Sequence, residues 1–251
     1  MRGPVRLTLL ALLTGATIGS WAVLTLLVAP VAGARRAVRR GALRAWGRLG
    51  TRILGIRLAV EGRPPVAPFY LVSNHLGYLD ILVYAALSPV RFVAKREVRR
   101  WPLLGAATAA MGTIFIDREV KRDAVRTLDA MAEAIAQGDG VLVFAEATST
   151  AGHGVLPFRP ALLEWAARTG HPVHYASIAY ATPPGGPPAH LAVCWWGEMT
   201  FGDHLAALAR LPWVAATVRF GAAPIAEQDR KRLAGRLHAA VSAQFIPVVV
   251  E

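Results

Sequence analysis

The strongest constraint on the fold is a run of 28 residues without a charged side chain, from Leu7 to Ala34. As a continuous helix this run would measure about 42 Å, which exceeds the ~30 Å hydrocarbon core of a bilayer. Gly15, Gly19 and Pro30 could kink the helix or divide it. The run therefore predicts a membrane anchor, either a single spanning helix or a re-entrant helical hairpin.

A cleaved signal peptide is the alternative interpretation of this segment. Ala32-Gly33-Ala34 has the small-residue pattern of a cleavage site. The apolar run is too long for an ordinary signal peptide, however, and the arginines that follow it would oppose export. Two arginines precede the run and seven follow it by Arg52. The positive-inside rule then predicts that the following domain lies on the cytoplasmic face.

The positive charge is concentrated beside this anchor. The formal net charge is +12, and the first 60 residues supply +10 of it because they contain no acidic residue. The ten arginines concerned are Arg2, Arg6, Arg35, Arg36, Arg39, Arg40, Arg44, Arg48, Arg52 and Arg57. Anionic lipid headgroups attract such residues by roughly 1 kcal/mol each. No interleaved aromatic residues offer a stacking platform for bases, so membrane lipids are predicted partners and nucleic acid is not.

The basic stretch after the anchor has helical periodicity. Arginines recur every four residues from Arg36 to Arg52, and an apolar set falls on the opposite side: Val38, Ala42, Trp46, Leu49 and Ile53. Arg39 and Leu43 interrupt this pattern. The pattern predicts an amphipathic helix lying in the membrane interface. The alternative is a solvated basic face on a helix packed against the domain's own core.

The remainder of the chain predicts an α/β domain. Gly62-Arg63-Pro64-Pro65 breaks the pattern, and short apolar runs then alternate with helical patterns, which favours a mixed, largely parallel sheet flanked by helices. We predict strands at 69–73, 91–94, 113–116, 141–144, 173–180, 190–196 and 214–220, and helices at 81–87, 123–137, 160–168 and 227–245. The predicted division is a membrane anchor with its amphipathic helix at 1–57 and the α/β domain at 58–251. The single cysteine, Cys194, excludes an internal disulfide and a cysteine metal cluster.

The candidate catalytic pair is His75 and Asp80, which follow the first strand of the predicted domain. A turn through Gly77 can fold the Asp80 carboxylate back onto the imidazole, which would orient the ring and stabilise it once protonated. The chain has no G-x-S-x-G nucleophile elbow. A substrate hydroxyl is therefore the natural source of the proton that His75 would take. The alternative is a purely structural histidine.

An ordered set of motifs between about residues 69 and 180 resembles the glycerolipid acyltransferases that make phosphatidic acid from lysophosphatidic acid. His75-x₄-Asp80 is similar to their first motif, and Gly112-Thr-Ile-Phe-Ile-Asp-Arg118 to their second. Phe144-Ala-Glu-Ala-Thr-Ser149 is similar to their third, which is usually Phe-Pro-Glu-Gly-Thr-Arg. Pro172–Ala179 is similar to a fourth, an apolar strand led by a proline.

The resemblance implies the reaction and the residues that perform it. His75 would deprotonate the acceptor hydroxyl, which attacks an acyl thioester on coenzyme A or acyl carrier protein, while Asp80 holds His75 and backbone amides stabilise the oxyanion. The predicted substrate-binding residues are Asn74, Lys95, Gly112, Arg118, Glu146 and Thr148. No cofactor and no metal is implied, with the acyl thioester as co-substrate.

The third motif departs from the family pattern at Ala145, Ala147 and Ser149, which stand in place of Pro, Gly and Arg. A serine cannot make the bidentate phosphate contact of an arginine. Acylation of 1-acyl-sn-glycerol-3-phosphate is the leading prediction, and the related acylation of a lyso-ornithine lipid is its alternative. A lipid-binding protein without turnover, or an esterase, are further options. Ala147 also predicts an ordinary negative φ at a position where the family has glycine.

Overall fold

The computed structural model describes residues 2–101, 104–117 and 121–249. Its strands are β1 (Ile56–Glu61), β2 (Phe69–Ser73), β3 (Val90–Lys95), β4 (Ile114–Ile116), β5 (Gly140–Phe144), β6 (Val173–Ala181) and β7 (Val214–Phe220). Its helices are α1 (Arg2–Leu27), α2 (Ala32–Leu54), α3 (Leu79–Leu87), α4 (Leu104–Ala110), α5 (Lys121–Ala136), α6 (Glu164–Thr169), α7 (Ala189–Ala192), α8 (Phe201–Leu208) and α9 (Arg230–Gln244), with 3₁₀ turns at Arg96–Arg100 and Pro160–Leu163.

The described strands form one sheet in the order β1-β7-β6-β2-β5-β3-β4. All neighbouring pairs are parallel except β6 and β7, so β1 and β7 run opposite to the other five. Every residue of the central strands β2 and β5 is buried. Their continuous apolar sequences suit strands covered by helices on both faces. The predicted α/β class with a mixed, largely parallel sheet is confirmed.

Helices α1 and α2 form a hairpin whose two ends meet at the domain. The Arg6 guanidinium, near the start of α1, donates to the carbonyl oxygens of Leu211 (2.6 Å) and Pro212 (3.1 Å), just before β7. Gly55, just after the end of α2, lies against the same guanidinium. The Trp46 indole donates to Thr14 Oγ1 (3.1 Å) between the two helices. The apolar run is therefore one continuous helix as far as Leu27, and a turn then leads into α2, which packs back against it.

The exposed surface of α1 is apolar. This helix is long and apolar enough to cross a membrane, and only 6% of its most apolar window is buried. Leu12, Val23, Leu26 and Leu27 are all more than half exposed. Exposed leucines on a hairpin attached to a well-packed domain are typical of a surface that meets lipid.

The inner face of α2 differs from the predicted one. Its buried residues are Arg39, Leu43, Gly47, Gly50, Thr51 and Leu54, which include the two that interrupted the predicted stripe. A side chain at Gly47 would clash with the backbone of Ala85 and Ala86, so this glycine lets α2 approach α3 closely. Leu49, predicted to lie on the apolar side, is 42% exposed. The packing of α2 is therefore set by close contact with α3 rather than by the period of the arginines.

The Asp139 carboxylate holds α2 to the sheet. Asp139 is fully buried and pairs with Arg39 (2.6 Å) and Arg40 (2.7 Å) of α2 and with Arg91 (2.6 Å) of β3. Burial raises the pKa of Asp139, but the three guanidinium groups outweigh this effect and hold the pKa below its ordinary value. The carboxylate is thus ionised at neutral pH, and the basic side of α2 is partly a structural feature of the domain.

Two sequence predictions need correction. The boundary drawn between residues 57 and 58 falls inside β1, because the sheet already begins at Ile56 beside β7. The strand predicted at 190–196 is wrong: these residues form the end of α7 and a loop. Both edges of β6 are occupied, by β2 and β7, so this apolar segment cannot pair with the strand that precedes it in the chain. It packs instead over the end of β2, where Trp195 N–H donates to the Leu76 carbonyl (2.8 Å).

The substitution Asp139→Asn tests the importance of this network. Removing the carboxylate charge leaves Arg39 buried without its counter-charge, and we expect a loss of about 3–5 kcal/mol in the free energy of unfolding. Denaturant unfolding of the detergent-solubilised protein measures it. Glu61→Gln, which breaks an exposed pair with Arg219, is the control and should cost about 1 kcal/mol or less. Equal losses in the two variants would contradict a structural role for the buried network.

Candidate active site

The His75 and Asp80 side chains meet at the carboxyl end of β2. The chain leaves β2 at Ser73, turns through Gly77 with φ 153°, and enters α3, whose first turn carries Asp80. A Cβ at Gly77 would lie 2.9 Å from the backbone nitrogen of Trp195, so this turn has no room for a side chain. The turn brings His75 Nδ1 within 2.7 Å of Asp80 Oδ2.

Asp80 is fully buried, and four donors surround its carboxylate. Oδ2 accepts from His75 Nδ1, from Leu76 N–H (2.7 Å) and from Gly77 N–H (3.1 Å). Oδ1 accepts from the hydroxyl of Tyr180 (2.7 Å), at the end of β6. Burial raises the pKa of Tyr180 far above its ordinary value and the Asp80 charge adds to this, so the phenol stays a donor. Such a carboxylate fixes the tautomer in which Nδ1 carries the proton and Nε2 is free to accept one.

One face of the His75 ring packs against an aromatic side chain. It stacks on Phe144, the last residue of β5, with ring centroids 4.0 Å apart and planes 14° from parallel. The side chain remains 21% exposed, and the exposed part lies in the wall of a cavity of about 440 Å³. The imidazole is therefore fixed in direction and open to a ligand.

Most of the cavity wall is apolar. Trp46 of α2, Ile81 of α3, Phe92 of β3, Trp101 and Met111 contribute to it. Its polar lining includes Lys95, the last residue of β3, and Glu97 in the 3₁₀ turn after it. Thr148 and Ser149, which lie in the segment after β5, also contribute. A long apolar volume with a few convergent polar groups is the usual form of a ligand site.

Two of the predicted substrate-binding residues lie on this cavity. Lys95 and Thr148 are exposed and line it together with His75. Gly112 lies instead on an adjacent depression of about 360 Å³ that also includes Arg91, Arg99 and Arg126. Arg118 falls outside the described residues. Arg159, a further cationic candidate, is exposed and is not part of the wall that the described residues form.

Glu146 and Asn74, also predicted to bind substrate, have structural roles. Glu146 is 2% exposed, and its two oxygens accept from His75 N–H (2.7 Å) and Leu156 N–H (2.8 Å). Asn74 is 1% exposed, and its amide bonds both the carbonyl (2.9 Å) and the N–H (2.8 Å) of Ile178 in β6. Their polar atoms are occupied by backbone groups, so both side chains position the His75 loop. Their part in substrate binding stays a prediction.

The backbone at Ala147 also corrects a prediction. Its φ is 65°, in the left-handed region, and among the described residues it is the one non-glycine with a positive φ. The turn after β5 therefore keeps the conformation that suits glycine in spite of the alanine, at a cost of about 1–2 kcal/mol. The constraint comes from the neighbours, because Glu146 is fixed by two backbone amides and Thr150 N–H donates to the His75 carbonyl (3.0 Å).

Sequence reasoning missed Tyr180, although a signal was present. Parallel pairing of Ser73 with Ala176 carries β6 beyond the end of β2. Residues 178 and 180 then lie beside the loop that holds His75, and alternate residues of a strand share a face. A buried tyrosine at this point of a parallel neighbour is a candidate partner for a catalytic carboxylate.

Comparison with known proteins places the chain among enzymes. The model of the family described as Acyltransferase matches residues 57–179. A lyso-ornithine lipid O-acyltransferase of Brucella abortus is 34% identical over 201 residues, which cover 74% of this chain and 75% of the relative. A 1-acyl-sn-glycerol-3-phosphate acyltransferase of Neisseria gonorrhoeae is 37% identical over 145 residues, 57% of this chain and 56% of the relative.

The fold has a counterpart among solved structures. The crystal structure of the 1-acyl-sn-glycerophosphate acyltransferase PlsC from Thermotoga maritima superimposes with a TM-score of 0.65 and covers 97% of each chain. The sequence identity is 20%, so this likeness concerns the fold.

The buried Glu146 predicts a pH dependence of stability. Burial raises its pKa to about 7 in spite of the hydrogen bonds from Leu156 and His75, and the Asp80 charge adds to the rise. A raised pKa of an acid means that the folded protein holds a proton that the unfolded chain has released. The contribution of protonated Glu146 to the free energy of unfolding is therefore complete below about pH 4.5, and it is lost as the pH rises through about 7.

We therefore expect the free energy of unfolding to decrease between about pH 5 and 8 in the wild type. This decrease should exceed that of Glu146→Gln by on the order of 1–3 kcal/mol. Urea unfolding at a series of pH values measures the two slopes. Glu133→Gln on α5, where the carboxylate accepts from Gln137 at the surface, should keep the wild-type slope. Identical slopes for the wild type and Glu146→Gln would show that Glu146 does not titrate in this range.

Proposed function

The chain belongs to the acyltransferase family, among the members that acylate lysolipids, and on this premise we propose that His75 is the general base of transfer from an acyl thioester to a lysolipid hydroxyl. The observation that carries the proposal is the His75–Asp80 pair, buried on the carboxylate side and open to an apolar cavity on the other. A base must reach the proton it abstracts while its orienting partner stays fixed, and this arrangement meets both requirements.

The proposed reaction proceeds through a tetrahedral intermediate. His75 Nε2 takes the proton of the acceptor hydroxyl while the oxygen attacks the thioester carbonyl carbon. The carbon–sulfur bond then breaks, and the leaving thiolate takes the proton back from the imidazolium. The products are the ester and the free thiol of the carrier. Asp80, with its own negative charge held by Leu76 N–H, Gly77 N–H and Tyr180, stabilises the imidazolium between the two steps.

A lyso-ornithine lipid is the acceptor that we propose first. Ser149 stands where the family pattern has an arginine, and among the described residues Lys95 is the one Lys or Arg on the cavity wall. On the part of the wall that the structure describes, one cation is therefore available to a phosphate monoester. Relatives that match about three quarters of the chain include the lyso-ornithine lipid O-acyltransferases of Brucella abortus and Rhodobacter capsulatus.

Lysophosphatidic acid is the second candidate acceptor, and two observations favour it. Lys95 provides a cation on the wall of the cavity that His75 also lines, and the relative from Neisseria gonorrhoeae carries that activity in its name. For either acceptor the donor that we propose is an acyl thioester of coenzyme A or acyl carrier protein, without a metal or a cofactor.

We propose that the hairpin of α1 and α2 inserts into the cytoplasmic face of the membrane. Its exposed leucines would contact acyl chains, while Arg44, Arg48 and Arg52 on the exposed side of α2 would face anionic headgroups. Trp46 of α2 lines the cavity, so a lipid could pass from the bilayer toward His75 beside this helix.

His75→Ala and Asp80→Asn test the mechanism. We expect each to lower the rate of acyl transfer by about 10²–10⁴-fold, because the base or its orientation is lost. Labelled acyl-coenzyme A with lyso-ornithine lipid or lysophosphatidic acid, analysed by mass spectrometry, measures the product. His171→Ala is the matched control, since His171 precedes β6 at the opposite end of the sheet, and it should keep wild-type turnover.

Undiminished transfer by His75→Ala would remove His75 from the mechanism. Absence of transfer by the wild type to every acceptor would favour a lipid-binding protein instead. Release of free fatty acid in place of a diacyl product would indicate an esterase.

Tyr180→Phe tests the support of Asp80. The variant removes one of four donors from a buried carboxylate and leaves the ring in place, so we expect kcat to fall on the order of ten-fold with KM little changed. Steady-state kinetics with a saturating acyl donor separate the two constants. An unchanged kcat would mean that the Leu76 and Gly77 amides suffice to hold Asp80.

A further inference from the structure

The cavity beside His75 carries one positive and one negative side chain, and they are close in the sequence. Lys95 ends β3, and Glu97 lies in the 3₁₀ turn Arg96–Arg100 that follows. Both side chains are exposed, and both line the cavity. Within the described part of the chain, neither takes part in an ion pair or a side-chain hydrogen bond.

Within the part of the chain that the structure describes, none of the three arginines of this turn, Arg96, Arg99 and Arg100, forms an ion pair with Glu97. Arg96 pairs with Asp117 at 3.4 Å, and the Arg99 guanidinium lies 5.8 Å from the centre of the Phe115 ring. Neither arginine neutralises Glu97, although both are within two residues of it. Glu97 is therefore a carboxylate available to a ligand, and it is the one Asp or Glu on the wall formed by the described residues.

The charges on the wall discriminate between classes of acceptor. A phosphate monoester carries a charge of about −1.5 to −2 near neutral pH. Glu97 would repel it, and Ser149 supplies no guanidinium to compensate. A zwitterionic headgroup, with one carboxylate and one ammonium, would satisfy both Lys95 and Glu97. An ornithine headgroup acylated on its α-nitrogen has these two groups and no other charge.

We propose that Glu97 binds the ammonium of a zwitterionic, amino-acid-type lysolipid headgroup while Lys95 binds its carboxylate, so that this pair selects the acceptor. The inference rests on the proposed function and names the substrate class of the same cavity. Its physical basis is that a wall with one charge of each sign complements a zwitterion and opposes an anion. Glu97 acts in binding and takes no part in the proton transfer.

The experiment combines a protein change with a matching change in the ligand. Wild type and Glu97→Gln are assayed with lyso-ornithine lipid, with the same lipid acetylated on its side-chain amine, and with lysophosphatidic acid. For the wild type we expect acetylation to lower kcat/KM on the order of five- to ten-fold, chiefly through KM. In Glu97→Gln we expect a similar loss with the unmodified lipid and no further loss with the acetylated one, because the partner of the ammonium is already gone.

Glu97→Gln should also raise kcat/KM for lysophosphatidic acid by a few-fold, since a repulsive charge has been removed. Glu133→Gln on α5, outside the cavity, is the control and should behave as the wild type with all three acceptors.

Equal effects of acetylation in the wild type and in Glu97→Gln would overturn the assignment of Glu97 and leave the proposed function intact. Wild-type turnover confined to lysophosphatidic acid would do the same. No transfer from the wild type to any of the three acceptors would instead overturn the proposed function, and with it this inference.

Discussion

The buried Asp80 carboxylate is the interaction on which the site depends. A charge without solvent must be compensated locally, and here the donors come from the loop after β2, from the imidazole it carries, and from the end of β6. The carboxylate thereby ties the first turn of α3 to two neighbouring strands. The imidazole is one of four partners, so its direction follows from the position of three others. The orientation of the His75 ring is therefore a consequence of the compensation of the Asp80 charge.

Two further buried carboxylates act in the same way at larger distances along the chain. Glu146 joins the turn after β5 to the backbone of His75, and Asp139 joins the sheet to α2 of the hairpin. Together with the Asn74–Ile178 pair, these contacts place the end of each central strand relative to its neighbour. Ala147 keeps its strained positive φ because the contacts on both sides of it determine the conformation of the turn, whichever residue type occupies the position.

The sequence predicted the parts of this arrangement that depend on local pattern. The buried strands follow from short apolar runs, and the His75–Asp80 pair follows from five-residue spacing around a glycine turn. The parts that depend on distant partners could not be predicted in this way. Arg39 interrupts the apolar stripe of α2 yet is buried, because its partner Asp139 lies 100 residues further along the chain. Glu146 belongs to a recognisable motif, but the motif does not reveal that both of its oxygens face backbone amides. The apolar segment 190–196 resembles a strand, and only the topology shows that both sides of the preceding strand, β6, are already paired.

The same distinction explains how a shared mechanism can serve a changed acceptor. The residues that orient His75 are buried and satisfy one another, so altering any of them leaves an unpaired polar group. Lys95, Glu97, Thr148 and Ser149 line the cavity, and within the described part of the chain neither Lys95 nor Glu97 forms an ion pair or a side-chain hydrogen bond. Glu97 and Ser149 therefore influence the charge of the cavity wall without taking part in the hydrogen bonds that orient His75. Since the apolar wall reaches Trp46 on the hairpin, the acyl chains can occupy the apolar part of the cavity for any lysolipid. Under the proposed function, discrimination between acceptors would depend on the few charged groups of the wall.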